Sequence, residues 1–155
     1  MIINKKDYEK ILEVMPICCV DLIISYKGEI LFVKRKNKPL KGKWCFPGGR
    51  IYKNEKLEKA ATRKAFEEVG INIKIERKLG VYETFFRKGP FQNPKTNPHT
   101  INIVFIAKPA SKNFEIKIDK QSSEYKWFDE IKKEFPNYVK EVLDDYKKLI
   151  SPKNL

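Results

Sequence analysis

The sequence predicts an α+β fold of the α/β/α sandwich type: a mixed central sheet with helices on both faces. Three observations carry this. Apolar periodicity runs helix, strands, helix, strands, helix along 155 residues. Strand-like runs outnumber helical ones, and several are joined by turns short enough to make neighbours antiparallel. A sheet that is apolar on both faces needs cover on both, and helices interspersed among the strands supply it. The length suits one domain over residues 1–155 with a real core.

Each element has its own reason. "NKKDYEKILEV" is amphipathic at helical period, with Asn4 placed to cap it and Pro16 to end it. "ICCVDLIIS" and "EILFVKRK" are strand-forming runs flanking the tight turn "YKGE". "NKPLKGKW" is a basic loop, and "WCFPGG" a short strand expected to stop at its glycines. A helix is expected from about Glu55 to Val69, with Gly70 as its C-terminal stop. "INIKIERKLGVYETFF" gives one broken strand or two adjacent ones. "RKGPFQNPKTNPH" is a long surface loop, and "TINIVFIAKP" a buried strand. "SSEYKWFD" is a short strand, and "NYVKEVLDDYKKLI" a closing helix with Asn137 as the expected cap.

Composition narrows the function. No apolar run is long enough to cross a bilayer, and "MIINKKDYEK" lacks the pattern of a secretory leader, so a cytoplasmic protein is expected. The net charge of +13 invites nucleic acid as a partner, but a polyphosphate substrate or a solvated surface accounts for it equally. The arginines are Arg35, Arg50, Arg63, Arg77 and Arg87; all other basic residues are lysines. Base readout favours arginine forks, so nucleic acid is not the expected partner. Cys18, Cys19 and Cys45 show no zinc spacing, and buried reduced thiols are expected.

The informative stretch is "GRIYKNEKLEKAATRKAFEEVGI", Gly49 to Ile71. On a helix, Leu57, Ala60, Ala61, Ala65 and Val69 form a stripe that must pack on the sheet. Lys64, Glu67 and Glu68 fall on another side. Adjacent acids at the negative end of a helix are poorly placed for stability, and a bound cation would relieve them. Carboxylate and carbonyl oxygens suit Mg²⁺ or Mn²⁺. Two glutamates alone are more often a solvated acidic face.

The full spacing of Gly49, Glu55, Arg63, Glu67, Glu68, Gly70 and Ile71 resembles the nudix box, the loop–helix signature of hydrolases acting on nucleoside diphosphates linked to another group. The resemblance implies a nudix-type sandwich. It implies metal ligands at Glu68, Glu67 and the Gly48 carbonyl, and a Glu55–Arg63 pair locking loop to helix. Lys64 departs from the family pattern, which has a glutamate directly after the arginine. A lysine ammonium has no acceptor and repels a nearby metal ion.

"KRKNKPLKGKWCFPGGR" is similar to the corresponding stretch of the GDP-mannose mannosyl hydrolase branch, which also lacks that glutamate. That branch attacks the sugar's anomeric carbon and releases GDP and free sugar. By position, Asp21 resembles its substrate carboxylate, Arg35 its diphosphate clamp, Gln121 a metal ligand, and His99 a histidine near the sugar. Ser122 stands where the branch has its general-base histidine, so Glu124 or Glu67 would have to supply a base. A nucleotide-sugar substrate and an Mg²⁺ or Mn²⁺ cofactor follow from the resemblance, and homodimers are common in the family. Hydrolysis of a P–O–P bridge and a non-catalytic nucleotide- or RNA-binding role stay open beside it.

Overall fold

The computed structural model describes residues 2–151. The N-terminal helix α1 (Lys5–Val14) is capped as expected, the Asn4 side chain accepting from the Asp7 N–H. Strands β1 (Ile17–Tyr26) and β2 (Glu29–Arg35) follow. Lys27 and Gly28, both at positive φ, turn one into the other. After β3 (Trp44–Cys45) and β4 (Gly48–Arg50) comes α2 (Leu57–Val69). Then β5 (Ile73–Phe85), β6 (His99–Pro109), β7 (Ser122–Phe128) and α3 (Asn137–Ile150) complete the chain.

The sheet is mixed. β1 runs parallel to β6, and β5 runs antiparallel to β6 at the edge. β2 pairs antiparallel with β3 and β7. β1 and β2 share only the pairs Ser25↔Ile30 and Tyr26↔Glu29, then separate, and β4 fits against β1 beyond the separation. That opening in the sheet is where the candidate site forms.

Alternation along the strands builds a core on each face. Val20, Leu22, Ile24, Leu31, Val33, Ile103 and Phe105 pack on Ala60, Ala61, Ala65 and Val69 of α2. Ile23, Phe32 and Val104 pack on Val139, Val142 and Leu143 of α3. Phe32 stacks on Phe135 with ring centres 4.9 Å apart. The α/β/α arrangement is the one the periodicity predicts.

Three expectations are corrected. The glycines after Pro47 do not stop the strand run: Gly48 and Gly49 pair with Asp21 and Val20 as part of β4. Of the two forms expected for the segment after α2, the single broken strand is the one found: β5 carries register shifts at Ile75/Arg77 and Lys78/Gly80. Asn137 begins α3 rather than capping it; Pro136 holds the cap position and no side chain bonds the first turn. Cys18 is exposed, because it faces away from the core on β1. Burial pushes the thiols of Cys19 and Cys45 up to about 12, so neither is a thiolate at neutral pH. No helix among the described residues is long and apolar enough to cross a membrane.

Candidate active site

The loop between β4 and α2 is held by one ion pair. Arg63 donates from Nε to Glu55 Oε1 at 2.6 Å and from Nη2 to Glu55 Oε2 at 2.8 Å. The same guanidinium donates to the Arg50 carbonyl at 3.1 Å and lies 3.8 Å over the Tyr52 ring. Glu55 also accepts from the Tyr52 N–H at 2.9 Å. The Arg63 bonds hold the Glu55 carboxyl below the usual carboxylate range despite partial burial. Helix and loop therefore move as one piece, and this fixes where the last turn of α2 points.

That turn faces the glycines. Glu68 Oε2 accepts from the Gly48 N–H at 3.0 Å, and Lys64 Nζ lies 2.9 Å from Glu68 Oε1 and 3.5 Å from Glu67 Oε2. Glu67 Oε2 also accepts from Arg63 at 3.1 Å. Lys64, expected on a side of the helix other than the apolar stripe, is buried there at 8% exposure. Burial works against its charge, but Glu68 and then Glu67 outweigh that and raise its pKa, so it is an ammonium. A glycine opposite leaves room for its stem: a Cβ on Gly49 would come within 2.7 Å of Lys64 Cε and make the lysine tip shift.

On the other side of β4 sits Asp21, paired across the ladder with Gly48. A Cβ on Gly48 would collide with Asp21 Oδ1 and the Val20 carbonyl. Asp21 Oδ2 accepts from Asn102 Nδ2 at 2.8 Å and from the Tyr138 hydroxyl. Asn102 in turn takes a bond from Thr100 at 2.7 Å. Burial pushes the Asp21 carboxyl above the ordinary range, against the pull of Tyr138, Asn102, Arg35 and Lys64.

These groups line one cleft of about 600 Å³, large enough for a nucleotide derivative. Of the residues expected at the site, Asp21, Arg35, Gly48, Glu67, Glu68 and Gln121 line it. Arg35 closes β2, and Gln121 is brought beside it because the Lys36 N–H donates to the Gln121 carbonyl at 2.9 Å. The buried Nε of Arg35 has no hydrogen-bond partner. A guanidinium N–H enclosed without an acceptor is costly, and an anionic oxygen in the cleft would satisfy it.

Three expected residues lie elsewhere. His99 does not line the cleft: it stacks on Phe85 at 4.2 Å, with Nε2 3.2 Å from Glu83. The two-residue period of β6 explains this, since Thr100 and Asn102 face the cleft and His99 the opposite side. Ser122 is buried opposite Arg35 in the β2–β7 ladder. Glu124 pairs with Lys34 at 2.8 Å and does not reach the cleft. Tyr138 and Asn102 do reach it and were absent from the expected set. An asparagine inside the apolar run "TINIVFIA" is a readable signal; a tyrosine on an amphipathic helix is not.

The donors fit one hard cation better than a cluster. Glu68 is tied to the Gly48 peptide, and Gln121 lines the same cleft. Among the described residues, no three carboxylate, imidazole or thiol side chains come together as a metal-binding group. The place of a third acid on α2 is taken by Lys64.

A glycine strand leading into a helix, whose acids share one cleft with a guanidinium from another strand, makes a phosphate-handling hydrolase site. The chain belongs to the NUDIX domain family, whose model matches residues 17–144, and it is a nudix hydrolase. It is 33% identical over 138 residues to the low-salt glycan biosynthesis protein Agl8 of Haloferax volcanii, covering 89% of this chain and 86% of that one. It is 41% identical over 106 residues to an ADP-ribose pyrophosphatase of Methanocaldococcus jannaschii, covering 68% of this chain. The match spans 59% of that relative's length. Among solved structures, the MutT NUDIX hydrolase from Burkholderia pseudomallei superposes with a TM-score of 0.68 at 25% identity, over 84% of this chain and 98% of that one. The MutT protein from Methanosarcina mazei Go1 gives 0.69 at 23% identity, over 89% and 99%.

Proposed function

We propose that the chain hydrolyses nucleoside diphosphate sugars with one Mg²⁺ or Mn²⁺, in the manner of GDP-mannose mannosyl hydrolase, releasing nucleoside diphosphate and free sugar. The observation that carries this is the unpartnered, buried Nε of Arg35 in the cleft that also holds Glu68 and Gly48. Arg35 grips the diphosphate. Glu68, the Gly48 carbonyl and Gln121 would hold the ion, which neutralises charge on the departing diphosphate. Asp21, oriented by Asn102 and Tyr138, faces the sugar with an acceptor held in place. His99 is left out, since it lies off the cleft. The Haloferax relative, named for glycan biosynthesis, supports a nucleotide-sugar substrate. The free thiols at Cys18, Cys19 and Cys45 suit a reducing cytoplasm.

A second reading, cleavage of the P–O–P bridge, is favoured by Glu67, which stands beside Glu68 in the cleft, and by the pyrophosphatase relative. Hydrolysis in ¹⁸O-water separates the two. Label in the free sugar is the expected result and means attack at carbon. Label in phosphate would replace the first reading with the second.

A further inference from the structure

We propose that Lys64 is the cleft's own cation: its ammonium is held by Glu68 and Glu67 until a diphosphate arrives, and then passes to the phosphate oxygens. This rests on reading the cleft as a diphosphate site. Lys64 does with a tethered charge what a further divalent ion would do.

The placement is built rather than incidental. A lysine that only solubilises a helix extends into water, as the exposed Lys59 does one turn earlier. Lys64 is buried at 8% exposure, with Nζ 2.9 Å from Glu68 and 3.5 Å from Glu67. Enclosing an ammonium is costly unless it is paired, and Glu68, with Glu67 farther off, supplies the pairing here. The chain also leaves room for the stem, because Gly49, at φ +149, carries no side chain where Lys64 Cε lies.

Lys64 and Arg35 come from different elements, α2 and β2, and line the same cleft. Both act on the Asp21 carboxyl, pulling it down against its burial. An entering diphosphate therefore meets a planar fork from one strand and a point charge from the helix, the two ways proteins hold phosphate. Until then Lys64 occupies Glu68 Oε1 and repels a divalent ion at the same carboxylate. Transfer of the ammonium to phosphate frees that oxygen. Diphosphate binding should consequently not require metal, and free metal should bind weakly without diphosphate.

Titration calorimetry with inorganic pyrophosphate in EDTA tests this, together with Mn²⁺ binding followed by electron paramagnetic resonance without phosphate. The wild-type protein is expected to bind pyrophosphate in EDTA, and Lys64→Met to bind it roughly ten- to hundred-fold more weakly, the loss of one charge-assisted contact. The same variant is expected to bind Mn²⁺ several-fold more tightly, which also reports a folded cleft. Pyrophosphate affinity within two-fold of wild type, or unchanged Mn²⁺ affinity, overturns the inference. Should Lys64→Met melt below assay temperature, Lys64→Gln takes the same test with the same criterion. A wild type that binds no pyrophosphate in EDTA yet hydrolyses nucleotide sugars with Mg²⁺ overturns this inference alone. A wild type with no affinity for nucleoside diphosphates, with or without metal, overturns the reading of the cleft.

Discussion

Glu55 touches the Arg63 fork at 2.6 and 2.8 Å and the Tyr52 N–H at 2.9 Å, and it decides whether the loop after β4 stays on α2. Its side chain is 15% exposed, so water screens the pair only partly. In Glu55→Gln the guanidinium keeps Glu67 and the Arg50 carbonyl, which softens the loss. The expected cost is about 1–2 kcal/mol at neutral pH, a few degrees in melting temperature. The sign with pH follows from the direction of the shift. Glu55 is held below its unfolded value, so its contribution is present above about pH 4.3 and is lost as pH falls through the lower folded value. Melting curves of wild type and variant should converge in that acid range. A gap that persists at pH 2 would show that shape, not charge, sets the effect.

At the scale of elements, the site depends on β4 lying flat against β1. Gly48 opposes Asp21 in that ladder, and a Cβ there meets the Val20 carbonyl, which is backbone and cannot swing aside. Gly48→Ala must therefore displace the strand, and we expect at least about 3 kcal/mol of destabilisation with loss of the cleft. Gly28 is the control: it sits at φ +81 in the β1–β2 turn with open space around it. Gly28→Ala should cost only the left-handed strain, about 1 kcal/mol, and leave ligand binding intact. Equal costs in urea melts would mean that the ladder gives way at Gly48. The same strand marks the limit of what sequence discloses. The helix of Leu57–Val69, its Gly70 stop and its apolar stripe are legible because their period and cap are local. The pairing of Gly48 and Gly49 with β1 is not, since glycines carry no side-chain alternation to read. The segment after β6 hides similarly: Phe114, Ile116 and Ile118 pack on the core without forming a strand. The side that His99 takes is hidden for a related reason. Neighbours on a strand alternate sides, and the local sequence does not say that Thr100 and Asn102 rather than His99 take the cleft side.

Across the whole molecule, the charge of +13 could belong either to a nucleic-acid surface or to a small anionic cleft. The pairing favours the cleft. Some surface lysines are matched with acids, across strands in Lys34–Glu124 and Lys108–Glu76 and locally in Lys117–Glu115 and Lys148–Asp145. The buried Nε of Arg35, by contrast, has no partner and lies in the cleft. The two cases respond differently to salt. A surface neutralising six or more phosphates of an RNA loses about a thousand-fold in affinity between 50 and 200 mM salt. A cleft holding one diphosphate neutralises two or three charges and should lose only about seven- to forty-fold over the same range. Measuring the dissociation constants of GDP and of a 20-nucleotide RNA across that range decides between them. The expected result is a shallow slope for GDP and RNA binding that vanishes near 200 mM. RNA affinity that survives 200 mM salt and exceeds that for GDP would move the function from the cleft to the surface.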